Sequence, residues 1–254
     1  MDDPGDRTDT MNDKPIRWLD DEGEVEFPPA HAALGQPNGL LAVGGQLNPQ
    51  RLEDAYRRGI FPWFEDGQPV LWWSPDPRTL LYPSQLHISR SLRRRLHKQD
   101  YRVTMDTAFD SVIRACAAPR PGQRGTWITP AMQKAYGLLR RRGLAHSVEV
   151  WQQGRLAGGL YGVSIGRGFF GESMFSALRD ASKVALVWLT RQLQIWDFPF
   201  VDCQVGSSHL YALGAIDVPR TRFLGELEGA LAQGGPVGPD WAFDPDFHPL
   251  ELAA

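Results

Sequence analysis

The sequence predicts an α+β fold in which a small N-terminal domain precedes a larger domain with a mostly antiparallel sheet flanked by helices. Hydrophobic residues alternate with a period of two over HSVEVWQQGRLAGGLYGVSIGRGFFGESMFS, residues 146–176, which is typical of three hairpin-linked strands. The Pro- and Trp-rich stretch FPWFEDGQPVLWWSPDPR precedes this region and predicts a boundary near Pro75–Pro77. We therefore predict domains over residues 15–76 and 77–232, between a disordered N-terminus (1–14) and a loosely packed tail (233–254).

Capping signals predict the helices of the first half. Asn48 caps and Gly59 ends a helix over PQRLEDAYRRG, and Thr129 caps and Gly143 ends a helix over TPAMQKAYGLLRRRG. Between them we predict a helix over SQLHISRSLRRRLHKQ, a strand over YRVTMDT and a helix over TAFDSVIRACAA. After the three-strand meander we expect a long amphipathic helix, SALRDASKVALVWLTRQLQIW, then the strand FPFVDCQV and the short helix SSHLYALGA.

Several classes of protein are disfavoured by simple features of the chain. The two cysteines, Cys116 and Cys203, form no CxxC pair, and the six histidines show no metal-binding spacing, so we expect neither a disulfide scaffold nor a metal site. The N-terminal residues MDDPGDRTDTMNDK are acidic, unlike a signal peptide, and no apolar run is long enough for a membrane span. A soluble cytoplasmic protein is the expectation.

Charge is distributed unevenly along the chain. Residues 78–148 contain fourteen Lys or Arg and three acids, a net charge of +11, whereas the whole chain has a net charge of −3. Such asymmetry is a sign of a polyanionic partner, although each cluster alone is also typical of a solvated helix face.

The segment GRGFFG, residues 166–171, has the GxGxxG spacing of a dinucleotide-binding loop. That loop requires a helix N-terminus at its end, so that backbone N–H groups meet the pyrophosphate. Here the pattern continues as a strand, so Gly166 and Gly168 are interpreted as part of a hairpin turn.

The stretch FVDCQV and the glutamate of FFGESMF are the candidates for chemistry. Successive strand residues point to opposite faces, so Asp202 and Gln204 are predicted to share one face and Cys203 to occupy the other. An adjacent carboxylate disfavours a reactive thiolate, which favours a structural Cys203. Glu172 in an apolar strand needs hydrogen-bond partners, which Asp202 and Gln204 can supply. This polar group suits acyl or proton transfer, and a purely structural network remains the alternative.

Ten motifs in order resemble those of bacterial leucyl/phenylalanyl-tRNA–protein transferases. They lie between Phe27 and Leu224 and read PNGLLAVGGQL, GIFPWF, LWWSPDPR, HISRS, RGTWIT, HSVEVW, GGLYGV, GESMFS, ASKVAL and DCQV. The resemblance implies that the larger domain has the fold of the GCN5-related N-acetyltransferases. It also implies transfer of Leu or Phe, and less readily Met, from aminoacyl-tRNA to the N-terminal Arg or Lys of a protein, which marks that protein for N-degron degradation.

The resemblance assigns roles to residues of this chain. Asp202 and Gln204 are expected near the attacking amine, with Glu172 orienting the amide. The amino-acid pocket is expected to comprise Leu160, Phe169 and Leu186 with Ser176 nearby, and Trp63 and Trp127 are expected beside the terminal adenosine. No metal, nucleotide or coenzyme is implied, because the ester is already activated.

Basic residues of the +11 segment are expected to hold phosphates of the acceptor stem. These residues are Arg90, Arg93, Arg94, Arg95, Lys98, Arg140, Arg141 and Arg142. Two other functions remain open from sequence: an N-acyltransferase that uses acyl-coenzyme A, since the fold would be shared, and a non-catalytic RNA-binding module.

Overall fold

The computed structural model describes residues 15–21, 26–98, 100–119, 126–234 and 241–251. The predicted disorder of residues 1–14 therefore concerns residues outside this description. A four-stranded sheet of order β1-β2-β4-β3 is formed by the first part of the chain. Its strands are β1 (Arg17–Leu19), β2 (Leu40–Gly44), β3 (Phe61–Pro62) and β4 (Leu71–Trp73), and the helix α1 (Pro49–Arg57) lies between β2 and β3 in the chain.

A seven-stranded sheet of order β11-β5-β10-β9-β8-β7-β6 forms the rest of the structure. Its strands are β5 (Arg78–Leu81), β6 (Arg102–Met105), β7 (Ala145–Gln152), β8 (Arg155–Ile165), β9 (Gly168–Ser176), β10 (Phe200–Gln204) and β11 (Ile216–Val218). The β9–β10 pair is parallel and the other neighbours are antiparallel. The predicted mixed, mostly antiparallel sheet flanked by helices is confirmed.

Helices cover both faces of this sheet, because neighbouring strand residues alternate between two hydrophobic cores. Leu80, Phe170 and Phe200 belong to one core, and Leu81, Phe169 and Val201 belong to the other. The first core contains side chains of α1, α3 (Phe109–Ala117), α4 (Pro130–Arg141) and α7 (Arg220–Ala232). The second contains side chains of α2 (Arg90–His97) and α5 (Ala181–Ile195), while the short α6 (Ser208–Tyr211) packs beside it.

The two predicted domains share one of these hydrophobic cores. The two sheets separate along the chain at residues 74–77, yet Leu52 and Tyr56 of α1 pack in the same core as Tyr136 of α4. The division at residue 76 stays a prediction. The shared core fixes α1 against the larger sheet, and this contact matters for the site below.

A side-chain cap begins each of α1, α2 and α4, and the caps of α1 and α4 are those that the sequence predicts. The side chains of Asn48, Ser89 and Thr129 accept hydrogen bonds from backbone N–H groups in the first turns of α1, α2 and α4. Two helices begin later than predicted. Residues 83–85 form a separate 3₁₀ turn before α2. Ala177 and Leu178 still donate backbone hydrogen bonds to Ala157, so α5 starts only at residue 181. α5 is also buried on most of its surface, so its predicted amphipathic character is wrong.

The predicted hairpin at GRGFFG is confirmed. Ile165 of β8 pairs with Gly168 of β9, and the two residues between them form the turn, with Gly166 at a φ of 58°. Strands flank both sides of this turn, so it offers no helix N-terminus to a phosphate.

The parallel strands β9 and β10 separate after three residue pairs. Phe200, Val201 and Asp202 pair with Gly168, Phe169 and Phe170, and β9 then continues to residue 176 without β10 beside it. Side chains of β9 are buried up to Phe170 and become partly accessible from Gly171 onwards. The divergence opens a gap in the sheet, and this gap positions the candidate site.

The C-terminal segment 241–251 packs on the sheet, so the predicted loose packing is wrong for these residues. Trp241 stacks on His146 with ring centroids 3.8 Å apart, and it also contacts Phe169. Asp244 exchanges two hydrogen bonds with the side chain of Gln192 on α5. Aromatic residues in a Pro- and Gly-rich tail thus supply packing contacts, and the periodic sequence patterns that predict helices and strands do not detect such contacts. Within the described residues, no helix has both the length and the apolar character that a membrane span requires.

We expect Trp241→Ala to lower the free energy of unfolding by about 2–3 kcal/mol, less than the ~3–5 kcal/mol typical of a fully buried aromatic, because Trp241 is only partly buried. Urea denaturation measures this difference. Trp18→Ala is the matched control, because the Trp18 side chain is 69% exposed and its loss should change stability little. Equal effects of the two substitutions would contradict the packing role of the tail.

Candidate active site

A fully buried ion pair lies where β5 meets β10. Arg78 Nε donates to Asp202 Oδ1 at 2.8 Å, and Arg78 Nη2 donates to Asp202 Oδ2 at 2.6 Å. The third guanidinium nitrogen donates to the Gly59 carbonyl, and the rings of Phe61 and Phe223 flank the group. Both carboxylate oxygens of Asp202 are therefore engaged inside the protein.

Asp202 also holds a bulge at the end of β10. Its Oδ1 accepts a hydrogen bond from the backbone N–H of Gln204 at 2.9 Å, and the register with β5 shifts between these two residues. Gln204 has a φ of 56°, a left-handed conformation that is costly for a residue other than glycine. The carboxylate compensates for this strain by binding the displaced N–H.

The bulge changes which side chains reach the site. Asp202 and Cys203 point to opposite sides of β10, as alternation predicts: Asp202 pairs with Arg78, and Cys203 packs against the second core. Cys203 and Gln204, however, line the same cavities, and Asp202 lines neither of them. The prediction that Asp202 faces the site beside Gln204, with Cys203 turned away, is therefore wrong, because the register shift turns Gln204 relative to Asp202.

Glu172 is held in a ring of three oxygen-bearing side chains. Tyr56 Oη of α1 donates to Glu172 Oε1 at 2.7 Å, and Tyr136 Oη of α4 donates to Glu172 Oε2 at 2.7 Å. The two phenol oxygens lie 2.5 Å apart. Gln204 Nε2 approaches Glu172 Oε1 at 3.5 Å. The expected contact between Glu172 and Gln204 is thus present, and two tyrosines are the closer partners.

The environment raises the pKa of Glu172 to about 7. Burial is the main cause, and the negative charge of Asp202 adds to it. Hydrogen bonds from Tyr136 and Tyr56 and the charge of Arg78 favour the ionised form and partly oppose this rise. A carboxyl group of this kind changes its protonation state near neutral pH.

An apolar cavity of about 740 Å³ fills the gap between β9 and β10. Its walls include all four residues expected to form the amino-acid pocket, namely Leu160, Phe169, Ser176 and Leu186. Glu172, Cys203 and Gln204 lie on its wall as well. The cavity therefore combines an apolar interior with one amide and one carboxyl group.

A small cavity, the junction, shares wall residues with this cavity and with a wider cleft. The junction, about 150 Å³, is lined by Glu172, Cys203 and Gln204 together with Trp63 and Trp127. The wider tryptophan cleft, about 1060 Å³, shares Trp63 and Trp127 with the junction and adds Trp73. The rings of Trp63 and Trp73 lie 5.8 Å apart, and the Trp63 side chain is 47% exposed. Gln204 and Glu172 thus lie between an apolar cavity and a surface of aromatic rings.

Cys203 is unsuited to act as a nucleophile. Burial raises the pKa of its thiol, and the neighbouring charge of Asp202 raises it further. A thiol that stays protonated at neutral pH does not attack carbonyl groups efficiently. Within the described residues, no group of three or more His, Cys, Asp or Glu side chains is arranged to hold a metal ion.

Comparison with known proteins identifies the family of this chain. The family model described as "Leucyl/phenylalanyl-tRNA protein transferase" matches residues 80–228, and the model of its N-terminal domain matches residues 45–76. The chain belongs to this family. A "Leucyl/phenylalanyl-tRNA--protein transferase" of Alkalilimnicola ehrlichii is 55% identical over 239 residues, 93% of this chain and 92% of the relative.

Other relatives of the transferase align over most of this chain and of their own length. The one from Stutzerimonas stutzeri is 54% identical, over 89% of this chain and 99% of its own. The one from Nitrosomonas europaea is 55% identical, over 87% of this chain and 93% of its own. Among solved structures, the one titled "The structure of L-PGS from Bacillus licheniformis" aligns with 66% of this chain and 54% of that chain at 8% identity and a TM-score of 0.37, too low to support an argument. The predicted family and the prediction of a transferase enzyme are confirmed.

The basic residues of the transferase form two separate groups. α2 packs in the second core and α4 in the first, so their arginines lie on opposite faces of the sheet. Two of the eight candidates have acidic partners: Arg95 pairs with Asp100, and Arg140 lies 3.5 Å from Asp106. The other six are exposed and form no salt bridge with a described residue, namely Arg90, Arg93, Arg94, Lys98, Arg141 and Arg142.

Three important residues of the transferase site were not singled out from sequence. Tyr56 and Tyr136 lie on apolar helix faces, and their spacing alone indicates no more than a place in the core. A buried tyrosine needs a partner for its hydroxyl, and that requirement is the signal that points to Glu172. Arg78 begins the apolar strand RTLL, and a buried cation there calls for a buried acid such as Asp202.

We expect Arg78→Met to lower the free energy of unfolding by about 3–5 kcal/mol, because it leaves the Asp202 charge buried without a partner. Chemical denaturation measures the change. Arg57→Met is the matched control: its bond to Glu53 is at the surface, and its loss should cost less than about 1 kcal/mol. Arg78→Met with Asp202→Leu should recover part of the loss, and a double variant less stable than Arg78→Met would contradict this account.

Proposed function

We propose that the protein transfers Leu or Phe, and less readily Met, from aminoacyl-tRNA to proteins that begin with Arg or Lys. The product then carries a new N-terminal residue that marks it for N-degron degradation, and charged tRNA places the reaction in the cytoplasm. One observation carries the proposal: the junction that Gln204 and Glu172 line shares wall residues with the apolar cavity and with the tryptophan cleft. A side chain fits the apolar cavity, an ester the junction and an adenosine the cleft.

The side chain of the esterified amino acid occupies the apolar cavity. Leu160, Phe169 and Leu186 contact it, with Ser176 at the edge. An amino acid with an unbranched Cβ, such as Leu or Phe, fits between the strands. The β-branched side chains of Ile and Val would clash with the strands. Discrimination of this kind is worth about 1–3 kcal/mol per misplaced methyl group.

The terminal adenosine of the tRNA lies in the tryptophan cleft. Trp63 and Trp127 offer ring faces there, and stacking of a base on an aromatic ring is worth about 1–3 kcal/mol. This placement positions the ester at the junction, beside Gln204. The exposed arginines of α2 and α4 contact tRNA phosphates and supply charge without reading base sequence.

The reaction is aminolysis of an ester that is already activated, so the enzyme mainly positions its two substrates. The amide of Gln204 binds the α-amine of the acceptor protein. Asp202 acts one step away: paired with Arg78, it holds the bulge that turns Gln204 towards the junction. Asp202 is therefore a positioning residue in this proposal, and no metal or coenzyme takes part.

A labelled-transfer assay tests the proposed function. We expect the protein to move labelled Leu from Leu-tRNA onto a peptide that begins with Arg, and not onto the same peptide beginning with Ala. Gln204→Ala should lower the rate at least about 10²-fold, the lower end of what a positioned catalytic group contributes. Its neighbour Cys203→Ala should keep most activity. Absence of transfer by the wild-type protein, with acyl-coenzyme A used instead, would favour the alternative acyltransferase.

Salt dependence tests the role of the basic residues. The logarithm of the tRNA association constant should fall linearly with the logarithm of salt concentration, because phosphate contacts release counterions. Arg94→Glu on α2 should weaken binding and reduce the slope by about 1. Arg222→Glu on α7, an exposed arginine outside the two basic groups, is the control for charge reversal. Identical slopes for both variants would exclude Arg94 from the tRNA contact.

A further inference from the structure

The amine that attacks the ester must first lose a proton, and the acceptor of that proton can be sought among the cavity walls. Asp202 is unavailable, because Arg78 and the Gln204 N–H occupy its oxygens and it lines neither cavity. The Gln204 amide is neutral and is not a base at ordinary pH. Cys203 and Tyr161, which also lines the apolar cavity, have raised pKa values and stay protonated. Of the described residues lining the apolar cavity or the junction, Glu172 and His209 remain.

Position favours Glu172 over His209. Glu172 lines both the apolar cavity and the junction, where Gln204 lies 3.5 Å from its carboxyl group. His209 lines the apolar cavity and not the junction. An amine bound by Gln204 therefore meets Glu172 first.

The hydroxyl ring around Glu172 can store one additional proton. Three close oxygen–oxygen contacts join Glu172, Tyr56 and Tyr136, at 2.5, 2.7 and 2.7 Å. When Glu172 is ionised, the two phenols supply only two hydrogens for these three contacts. When Glu172 is protonated, each contact contains one hydrogen. With Glu172 ionised, one of the three contacts therefore has no hydrogen. After Glu172 takes up a proton, all three contacts are hydrogen bonds.

We propose that Glu172, supported by Tyr56 and Tyr136, is the general base that accepts the proton of the attacking amine. This proposal rests on the proposed transfer reaction. The acceptor ammonium gives one proton to the Glu172 carboxylate, and its freed electron pair forms a bond to the ester carbonyl carbon. The bond from that carbon to the ribose oxygen breaks, and the oxygen takes a second proton from the same nitrogen. The products are an amide and a ribose hydroxyl, and Glu172 later releases its proton to water.

The pH dependence follows from the groups that face Glu172. They are Tyr56 of α1, Tyr136 of α4, Tyr161 of β8, Arg78 of β5, and Asp202 and Cys203 of β10. Burial is the largest influence and raises the Glu172 pKa to about 7, while the two hydrogen-bonding tyrosines lower it. Only ionised Glu172 accepts a proton, so kcat/KM rises as the pH increases through this range. Removal of a tyrosine hydroxyl raises the Glu172 pKa, so kcat/KM then rises at higher pH.

The test is the pH profile of kcat/KM for transfer to one acceptor peptide, with wild-type and variant proteins. We expect Tyr136→Phe to move the rising limb up by about one pH unit, the scale of one lost hydrogen bond to a charged group. The acceptor amine titrates identically with every protein, so a shift between variants belongs to the enzyme. Tyr82→Phe is the matched control, because it removes a hydrogen bond between a tyrosine and Glu226 that lies away from the cavities. The pH dependence of kcat/KM should not change in this variant.

Further variants make the outcome decisive. Tyr56→Phe should shift the limb in the same direction, and it replaces Tyr136→Phe if that variant melts at a much lower temperature. Glu172→Gln should lower kcat/KM about 10²–10⁴-fold, the contribution of a general base. The proposal is overturned if the rise of kcat/KM occurs at the wild-type pH in both tyrosine variants. It is also overturned if His209→Gln abolishes the rise. Failure of the wild-type protein to transfer at any pH overturns the transfer function itself, and this base with it.

Discussion

The buried pair of Arg78 and Asp202 is the interaction on which the site depends. Two charges removed from water are tolerated because two hydrogen bonds join them. The Gly59 carbonyl also accepts from the third guanidinium nitrogen, and the Gln204 N–H also donates to Asp202 Oδ1. Gly59 follows α1, Arg78 begins β5 and Asp202 lies in β10, so one guanidinium group joins three parts of the chain. The same carboxylate holds the bulge that places Gln204. Stability of the fold and geometry of the site therefore have a common origin.

The separation of β9 and β10 explains why the site draws on both faces of the sheet. Leu160 and Phe169 belong to the second core, whereas Tyr56 and Tyr136, which hold Glu172, belong to the first. An intact sheet would keep these two groups apart. Because the strands diverge after Phe170, an apolar cavity on one side meets a polar ring on the other. The site is built where the sheet opens, with its side chains fixed by two packed layers.

Much of the fold and part of the site can be predicted from the sequence, for local reasons. The alternation over residues 146–176 defines three strands, and the caps at Asn48 and Thr129 define two helices. The motifs of the family predict a site at Glu172, Gln204 and the pocket residues, and these residues line the cavities. The bulge is not local: it depends on Arg78, which is 124 residues away from Asp202. The Tyr56–Tyr136 contact likewise joins helices 80 residues apart, so neither is visible in spacing.

The contact between Trp241 and Phe169 has a practical consequence for work with this protein. Phe169 is a wall of the apolar cavity, and Trp241 stacks on His146 while touching that wall. A fusion or truncation that displaces Trp241 therefore alters a wall of the cavity as well as the tail. Kinetic comparisons between forms of the protein that differ in residues 241–251 consequently report on the shape of the cavity too.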